Sequence, residues 1–367
     1  MIGKNTFPRA LCTPAALAGG AAFLLGMSGL MTIASSRSAL VEQPDPLLLK
    51  QVFFLVAGLA VMFAATAVPF RTYRKYAGVF GVCGLLSLFM LPLFGVSING
   101  MRGWLHIGAL SLQPSELMKA PFVLVLAVIF ARREQPEYWR FGWGFFWTVM
   151  WLLPVAKQPD FGTASIYFGV FMIFYIASGG RFRYLAAPVA LGGAAAAWFV
   201  FRHPYALRRL GAFINPEGDP LGSGWHARQF ELAIARGHLF GAKLGGALWS
   251  NNYLPFSYND SAFATLLETL GLAGGVLIGM TLAVLAAALW RLGASPGVPT
   301  VNRLFIVGAM LLLVFQSIVH ISVNLCLLPT TGLTMPFVSY GGSSLAGCFL
   351  LLGMAFSAGR ERENRKG

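Results

Sequence analysis

The chain alternates long apolar blocks with short polar connections, and the blocks run for about 17 to 25 residues, the length that spans a hydrocarbon core as a helix. They predict about ten helices, near Thr13–Ser35, Leu48–Pro69, Tyr76–Val96, Ser115–Ala131, Phe141–Val155, Phe161–Ser178, Tyr184–Phe201, Ser261–Trp290, Leu304–Leu328 and Gly342–Ala358. The fifth block is short and aromatic. The first follows Lys4 and Arg9 and is too long for the apolar region of a signal peptide, so it reads as a retained membrane helix. One long polar stretch, residues 203–259 (His203 to Asn259), interrupts the pattern. Within it His226 to Ala235 fits an amphipathic helix lying on the membrane surface, and a loop of this length without function is uncommon. Neither a tandem nor an inverted repeat is evident. The expected fold class is all-α: a polytopic integral membrane protein forming a single membrane domain over residues 1–367.

Composition excludes a soluble fold, because 57% of residues are hydrophobic and only 11% charged, against roughly a quarter charged in an ordinary soluble domain. The net charge of +14 raises nucleic acid as a partner, but the cations sit between apolar blocks. They read instead as topology signals that also attract anionic membrane lipids, and no nucleic-acid partner is expected. With the N-terminus inside, most Lys and Arg fall on the cytoplasmic side, and the short outer segments keep only Arg37, Lys50, Arg102, Lys119 and Lys157. Both termini are therefore expected in the cytoplasm, with the long loop outside. Cys12, Cys83, Cys326 and Cys348 and the scattered histidines lack metal-ligand spacing, so no transition-metal site is expected.

With only 13 acidic residues in the chain, their placement carries information. Four abut apolar blocks on the predicted outer side, where a carboxylate is a functional candidate by default. These are Glu116 in Gln113-Pro114-Ser115-Glu116, Asp160 in Lys157-Gln158-Pro159-Asp160, Asp260 just before the eighth helix, and Glu268 two turns into it. Helix capping explains the first three equally simply, and a bond inside the bundle explains Glu268. Arg102, Lys119 and Lys157 flank Glu116 and Asp160. Structural ion pairing is one reading of that arrangement. The other is a site for a phosphate-bearing substrate, where cations hold the anion and a carboxylate takes a proton or a divalent cation. Asn99, Trp104 and Gln113 would add polar contacts. The turn-rich segments Asn251-Asn252-Tyr253-Leu254-Pro255 and Leu328 to Ser344 lie on the same side, the second gathering the hydroxyls of Ser339, Tyr340, Ser343 and Ser344 at the start of the last helix.

In these segments the chain resembles the SEDS family (shape, elongation, division and sporulation), the membrane glycosyltransferases related to RodA, FtsW and SpoVE. The matching residues are Asn99-Gly100-Met101-Arg102-Gly103-Trp104, Gln113-Pro114-Ser115-Glu116 with Lys119, and Gln158-Pro159-Asp160-Phe161-Gly162-Thr163. Leu254-Pro255 followed by Asp260, Glu268 and Gly271 continues the match, and Pro329-Thr330-Thr331-Gly332 and Pro336-Phe337-Val338-Ser339-Tyr340-Gly341-Gly342-Ser343-Ser344 complete it. Leu328 to Pro336 and Arg236-Gly237 look closer to the division and sporulation branch.

The resemblance implies a ten-helix SEDS-type fold in the bacterial cytoplasmic membrane that polymerises lipid II into glycan strands on the outer face. It implies a class B penicillin-binding protein transpeptidase as partner. By position, Asp260 would be the catalytic carboxylate. Arg102, Lys119 and Lys157, with a divalent cation (Mg or Mn), would stabilise the diphosphate, and Glu116 and Asp160 would orient them. Trp104, Ser339, Tyr340 and Ser343 complete the expected substrate contacts. Phe256-Ser257-Tyr258-Asn259 stands where the family usually has Glu, a small residue, His and Thr. Thr269 replaces a usual Glu, and His320 a usual Asn. A lipid-precursor flippase or transporter and a non-catalytic scaffold for a penicillin-binding protein are the competing readings.

Overall fold

In the computed structural model of the protein, residues 13–37, 45–98, 101–108, 110–202, 204–218, 224–254 and 256–362 are described. Lys4, Arg9, Cys12, Asn99, Gly100, His203 and Pro255 lie outside the described residues. Helices dominate: α1 (Pro14–Arg37), α2 (Pro46–Ala67), a short α3 (Phe70–Lys75) and α4 (Ala77–Phe94) precede a small sheet. After it come α5 (Pro114–Leu117), α6 (Lys119–Ala131), α7 (Glu137–Lys157), α8 (Phe161–Ala177) and α9 (Ala186–Arg202). The long loop contains α10 (Pro204–Ile214), α11 (Trp225–Gly237) and α12 (Leu248–Asn252), and the chain closes with α13 (Ala262–Gly293), α14 (Thr300–Asn324) and α15 (Gly342–Arg360).

Each predicted apolar block is helical, and 8 helical segments are long and apolar enough to cross a membrane. The 17-residue α8 is a shorter apolar helix. The fifth block differs from expectation: α7 is not short but runs for 21 residues, continuing through Pro154. Local chemistry sets the helix starts. Asp45 caps α2 by accepting a hydrogen bond from the Leu47 amide at 2.8 Å, with Pro46 in the first turn. Asp160 caps α8 through the Thr163 amide at 3.0 Å.

A 3-stranded antiparallel sheet, β1 (Val96–Ile98), β2 (Met101–Ile107) and β3 (Leu110–Leu112), stands where only a loop was expected. Val96 pairs with Trp104 and Leu105 with Leu112. Asn99-Gly100 between two apolar runs is the sequence signal for such a hairpin. The helical reading overlooked it because neither strand is long enough to show alternation.

The amphipathic segment of the long loop does form a helix, α11, but its buried face (Gln229, Phe230, Ala233, Gly237) packs on the bundle rather than facing a membrane surface. At Gly237 the approach is so close that a Cβ would lie 1.9 Å from the Leu267 carbonyl oxygen of α13. The chain then wedges into α13 itself. Gly271 has φ +70°, which breaks the helix, and the freed amides of Leu272 and Ala273 donate to the carbonyls of His238 and Leu239, each at 3.0 Å. The loop thus supplies the backbone partners that the helix lost.

Gly271 cannot be replaced without cost, because a Cβ there would meet the Gly241 nitrogen at 2.4 Å in a backbone conformation that favours glycine. Gly271→Ala is expected to lower the melting temperature of the detergent-solubilised protein by several degrees, corresponding to about 1–3 kcal/mol. Gly279→Ala, in the same helix with open space around it, should leave the melting temperature unchanged or raise it.

Candidate functional site

The polar residues that interrupt the apolar helices converge at one end of the bundle. Lys119 opens α6 with its ammonium 2.6 Å from Glu116 Oε1 and 2.8 Å from Gln316 Oε1 on α14. Both charges are buried, at 2% and 3% exposure. Gln316 passes the chain on by donating to the Thr334 carbonyl at 2.8 Å, and the Thr334 hydroxyl lies 2.9 Å from that of Ser344. The second oxygen of Glu116 and the Ser115 hydroxyl are buried without a hydrogen-bond partner among the described residues. The pair is closed to solvent, so its direct effect is to tie α5, α6 and α14 to the 329–341 segment.

Asp160 and Asp260 stand beside this network. Asp160 is buried; its carboxylate accepts from the Thr163 amide and, at 3.4 Å, from the Gln113 side chain. The Gln113 amide in turn donates to the Ser343 hydroxyl at 2.8 Å. Desolvation raises the Asp160 carboxyl above its ordinary range, with Glu116 pushing the same way against the Thr163 hydrogen bonds and Lys119.

Asp260 is positioned through its backbone. Its carbonyl accepts from the Asn324 side chain at 2.9 Å, and the Asn324 side-chain oxygen accepts from the Ala264 amide at 3.0 Å. The carboxyl itself is left for chemistry. Desolvation, the largest influence, and the negative charge of Asp160 raise it to about 6, while Arg209 pulls it down.

Arg209 was not singled out in the sequence because it lies in the long loop. Helix α10 brings it in, and its guanidinium donates to the Thr330 carbonyl at 2.8 Å. Gln51, Gln316 and Asn324 were missed as well. All three sit inside apolar helices, and the signal was present, since an uncharged amide in such a block is as anomalous as a carboxylate.

The expected cations do not form one cluster. Lys119 is sequestered by Glu116, whereas Arg102 on β2 is exposed and donates to the Pro92 carbonyl at 3.2 Å. Lys157 is exposed on the last turn of α7, and the half-buried Trp104 sits in the strand pairing. Glu268 takes the structural role. Its carboxylate accepts from the amides of Trp249 and Ser250, at 3.0 and 2.7 Å, with Arg236 3.6 Å away, and so fastens α12 to α13. Among the described residues no group of three or more His, Cys, Asp or Glu side chains is arranged to hold a metal ion, so the protein's own donors do not fit a divalent cation.

The Ser339–Ser344 segment is held by backbone contacts. The Ser339 hydroxyl donates to the Asn259 carbonyl at 2.8 Å and accepts from the Met335 amide, and the Tyr340 amide donates to the Tyr258 carbonyl at 2.8 Å. Gln51 of α2 bridges the same turn, from the Ser339 carbonyl to the Gly341 amide.

A family model, that of the FtsW/RodA/SpoVE cell cycle proteins, matches residues 16–364. The chain belongs to that family. Among its relatives, the probable peptidoglycan glycosyltransferase FtsW of Pseudomonas fluorescens is 34% identical over 349 residues, covering 91% of this chain and 85% of the relative. Stage V sporulation protein E of Bacillus subtilis is 34% identical over 319 residues, covering 85% and 86%. In structure, a chain of a peptidoglycan synthase complex that coordinates polymerization and crosslinking aligns with TM-score 0.79 and 26% identity, over 95% of this chain and 98% of that one. The crystal structure of RodA from Thermus thermophilus aligns with TM-score 0.72 and 26% identity, over 97% and 99%. This member of the SEDS family is thus a multi-pass membrane protein with closeness to FtsW and SpoVE, as the sequence motifs indicated.

Removing one partner of the buried pair should be far more damaging than removing both. Lys119→Met leaves the Glu116 carboxylate uncompensated and is expected to destabilise the solubilised protein by about 3–5 kcal/mol. Glu116→Gln combined with Lys119→Met should recover most of that loss, as read by thermal unfolding in detergent.

Proposed function

We propose that this chain is a peptidoglycan glycosyltransferase that polymerises a lipid II-type donor, a disaccharide-peptide on an undecaprenyl diphosphate, into glycan strands. What carries the reading is Asp260: a carboxyl at the mouth of a polar cluster, raised to about 6, beside a cation and held by its backbone so that the side chain is free to react. In glycosyl transfer the acceptor sugar hydroxyl attacks the anomeric carbon of the donor, a new C–O bond forms, and the bond to the diphosphate breaks. The hydroxyl proton goes to Asp260 as general base, and the electron pair leaves with the diphosphate. A base near 6 is ionised at neutral pH yet retains more proton affinity than an ordinary aspartate, which favours proton abstraction. Arg209 keeps that base from rising further and offers positive charge toward the diphosphate. Arg102 and Lys157, both exposed, suit the outer phosphate, and Asp160 tunes Asp260 through its charge.

Orientation follows from the cations. Arg132, Arg133, Arg140, Arg181 and Arg183 flank the ends of α6, α7 and α8 remote from Asp160. The positive-inside rule makes that end cytoplasmic and the Asp260 end extracytoplasmic, with the chain in the bacterial cytoplasmic membrane. The structural likeness to a chain of a peptidoglycan synthase complex supports a class B penicillin-binding transpeptidase as partner, since a nascent strand needs crosslinking.

The test is polymerisation of labelled lipid II by the purified protein with its partner, comparing wild type with Asp260→Asn. Loss of a general base is expected to cost roughly 10²–10⁴ in rate without loss of folding. Because the base works deprotonated, the wild-type rate should fall as pH drops through about 6. Arg209→Gln removes the cation that lowers the Asp260 carboxyl, so this limb should move to higher pH. A folded Asp260→Asn as active as wild type would overturn the assignment of the base. No polymer from wild type with partner supplied would transfer the function to lipid-precursor flipping or scaffolding.

A further inference from the structure

At the end of the bundle remote from Asp260, residues 132–136 join α6 to α7, and the first two turns of α7 present an aromatic cleft. Tyr138, Trp139, Gly142, Trp143 and Phe146 line about 360 Å³ on one helix face, where residues three and four apart are neighbours. The rings form a continuous wall: Trp139 and Trp143 are 5.9 Å apart, and Trp143 meets Phe146 edge-on at 5.6 Å. Gly142 is the notch in that wall, with nothing within 4 Å of where its Cβ would be. Tyr138, Trp143 and Phe146 face outward from the bundle. From Trp139 to Phe146 the cleft descends about 10 Å along the helix, enough for the upper part of an acyl chain.

The charges at the mouth are not balanced within the protein. Glu137 is occupied by Arg181 at 3.3 Å and by the Tyr175 hydroxyl at 2.8 Å, and Arg133 donates to the Ser178 carbonyl. Arg132, exposed, lies over the Trp139 ring at 5.7 Å from its centroid. Arg140, in the first turn of α7, donates weakly to the Phe130 carbonyl at 3.5 Å, and its Nε is buried without a hydrogen-bond partner among the described residues. A buried guanidinium N–H lacking an acceptor, beside a second cation and above an apolar cleft, calls for an anion carrying a hydrocarbon chain.

We propose that this cleft binds one anionic glycerophospholipid, its phosphate received by Arg132 and Arg140 and one acyl chain laid over Gly142 between Trp139, Trp143 and Phe146. The site is separate from the Asp260 cluster by the length of α7, about 30 Å. A generic belt of interfacial tryptophans would bind any lipid alike, whereas this site discriminates by headgroup charge.

The experiment is native mass spectrometry of the full chain, released from neutral detergent after equilibration with phosphatidylglycerol or with phosphatidylcholine of identical acyl chains. Wild type is expected to retain one phosphatidylglycerol with roughly tenfold preference, and the preference should shrink with added salt. Arg132→Gln with Arg140→Gln should abolish the preference, Trp143→Ala should weaken retention of both lipids, and Arg291→Gln, a cation on another helix, should change neither. Should the double variant melt early, the exposed Arg132→Gln alone decides by the same criterion. Equal retention of the two lipids by wild type, or a preference that survives loss of the arginines, would overturn the proposal.

Discussion

Irregular backbone buried among membrane helices has no water to satisfy it, so the Pro329–Gly341 segment can exist only if the protein itself supplies partners for its N–H and C=O groups. Met335, Phe337 and Val338 are buried, and the segment presses so closely on α1 that a Cβ on Gly29 would lie 2.1 Å from the Val338 carbonyl. Its polar groups are met from four directions. Arg209 takes the Thr330 carbonyl, His320 the Leu333 carbonyl, Gln316 the Thr334 carbonyl, and Gln51 the Ser339 carbonyl. Elements far apart in sequence are thereby committed to one arrangement. Asp260 inherits its position from that commitment, through Asn324 and through the Asn259 and Tyr258 carbonyls that receive Ser339 and Tyr340.

The charges of the cluster divide by what surrounds them. Glu116 and Lys119 neutralise one another in a closed compartment, so their value is to fix geometry, and such a pair is weak evidence for stability in itself. Asp260 faces one like charge and one opposite charge without being locked to either. Two carboxylates with different surroundings therefore take different roles: Asp160 is spent on capping α8, and Asp260 retains a proton affinity useful near neutral pH.

Much of this was legible in the sequence because bilayer thickness imposes one helix length, and apolar blocks of that length appear as helices in the structure. The carboxylates were legible because charge inside such blocks is rare. What escaped was set by contacts between distant segments. No local pattern announces that α10 will carry Arg209 to Thr330, or that a break at Gly271 will be filled by His238 and Leu239. The grouping of Arg102 and Lys157 with Lys119 failed for a related reason, since nearness in sequence to Glu116 and Asp160 says nothing of which side chains turn inward. Gln51, Gln316 and Asn324 were readable in principle, and were passed over because only ionisable residues were weighed inside the apolar blocks.

The departures from the family pattern around Asp260 find their explanation in the kind of contact each position makes. Asn259 and Tyr258 hold the Ser339–Tyr340 turn with carbonyl oxygens, which any residue provides, so their side chains are free to vary; that of Tyr258 packs edge-on against Tyr340. Thr269 satisfies its hydroxyl within α13 at the Thr265 carbonyl, leaving no buried charge where the family carries a second glutamate. His320 is the demanding substitution, because its ring is buried and meets two fixed partners: the Leu333 carbonyl, which can only accept, and the Asn324 amide nitrogen, which can only donate. Those partners require the hydrogen on Nδ1 and the lone pair on Nε2, one donor and one acceptor, as an asparagine amide would also offer. A neutral imidazole in that tautomer therefore bridges the buried loop to the residue that holds Asp260, and the family geometry survives a change of chemistry at the position.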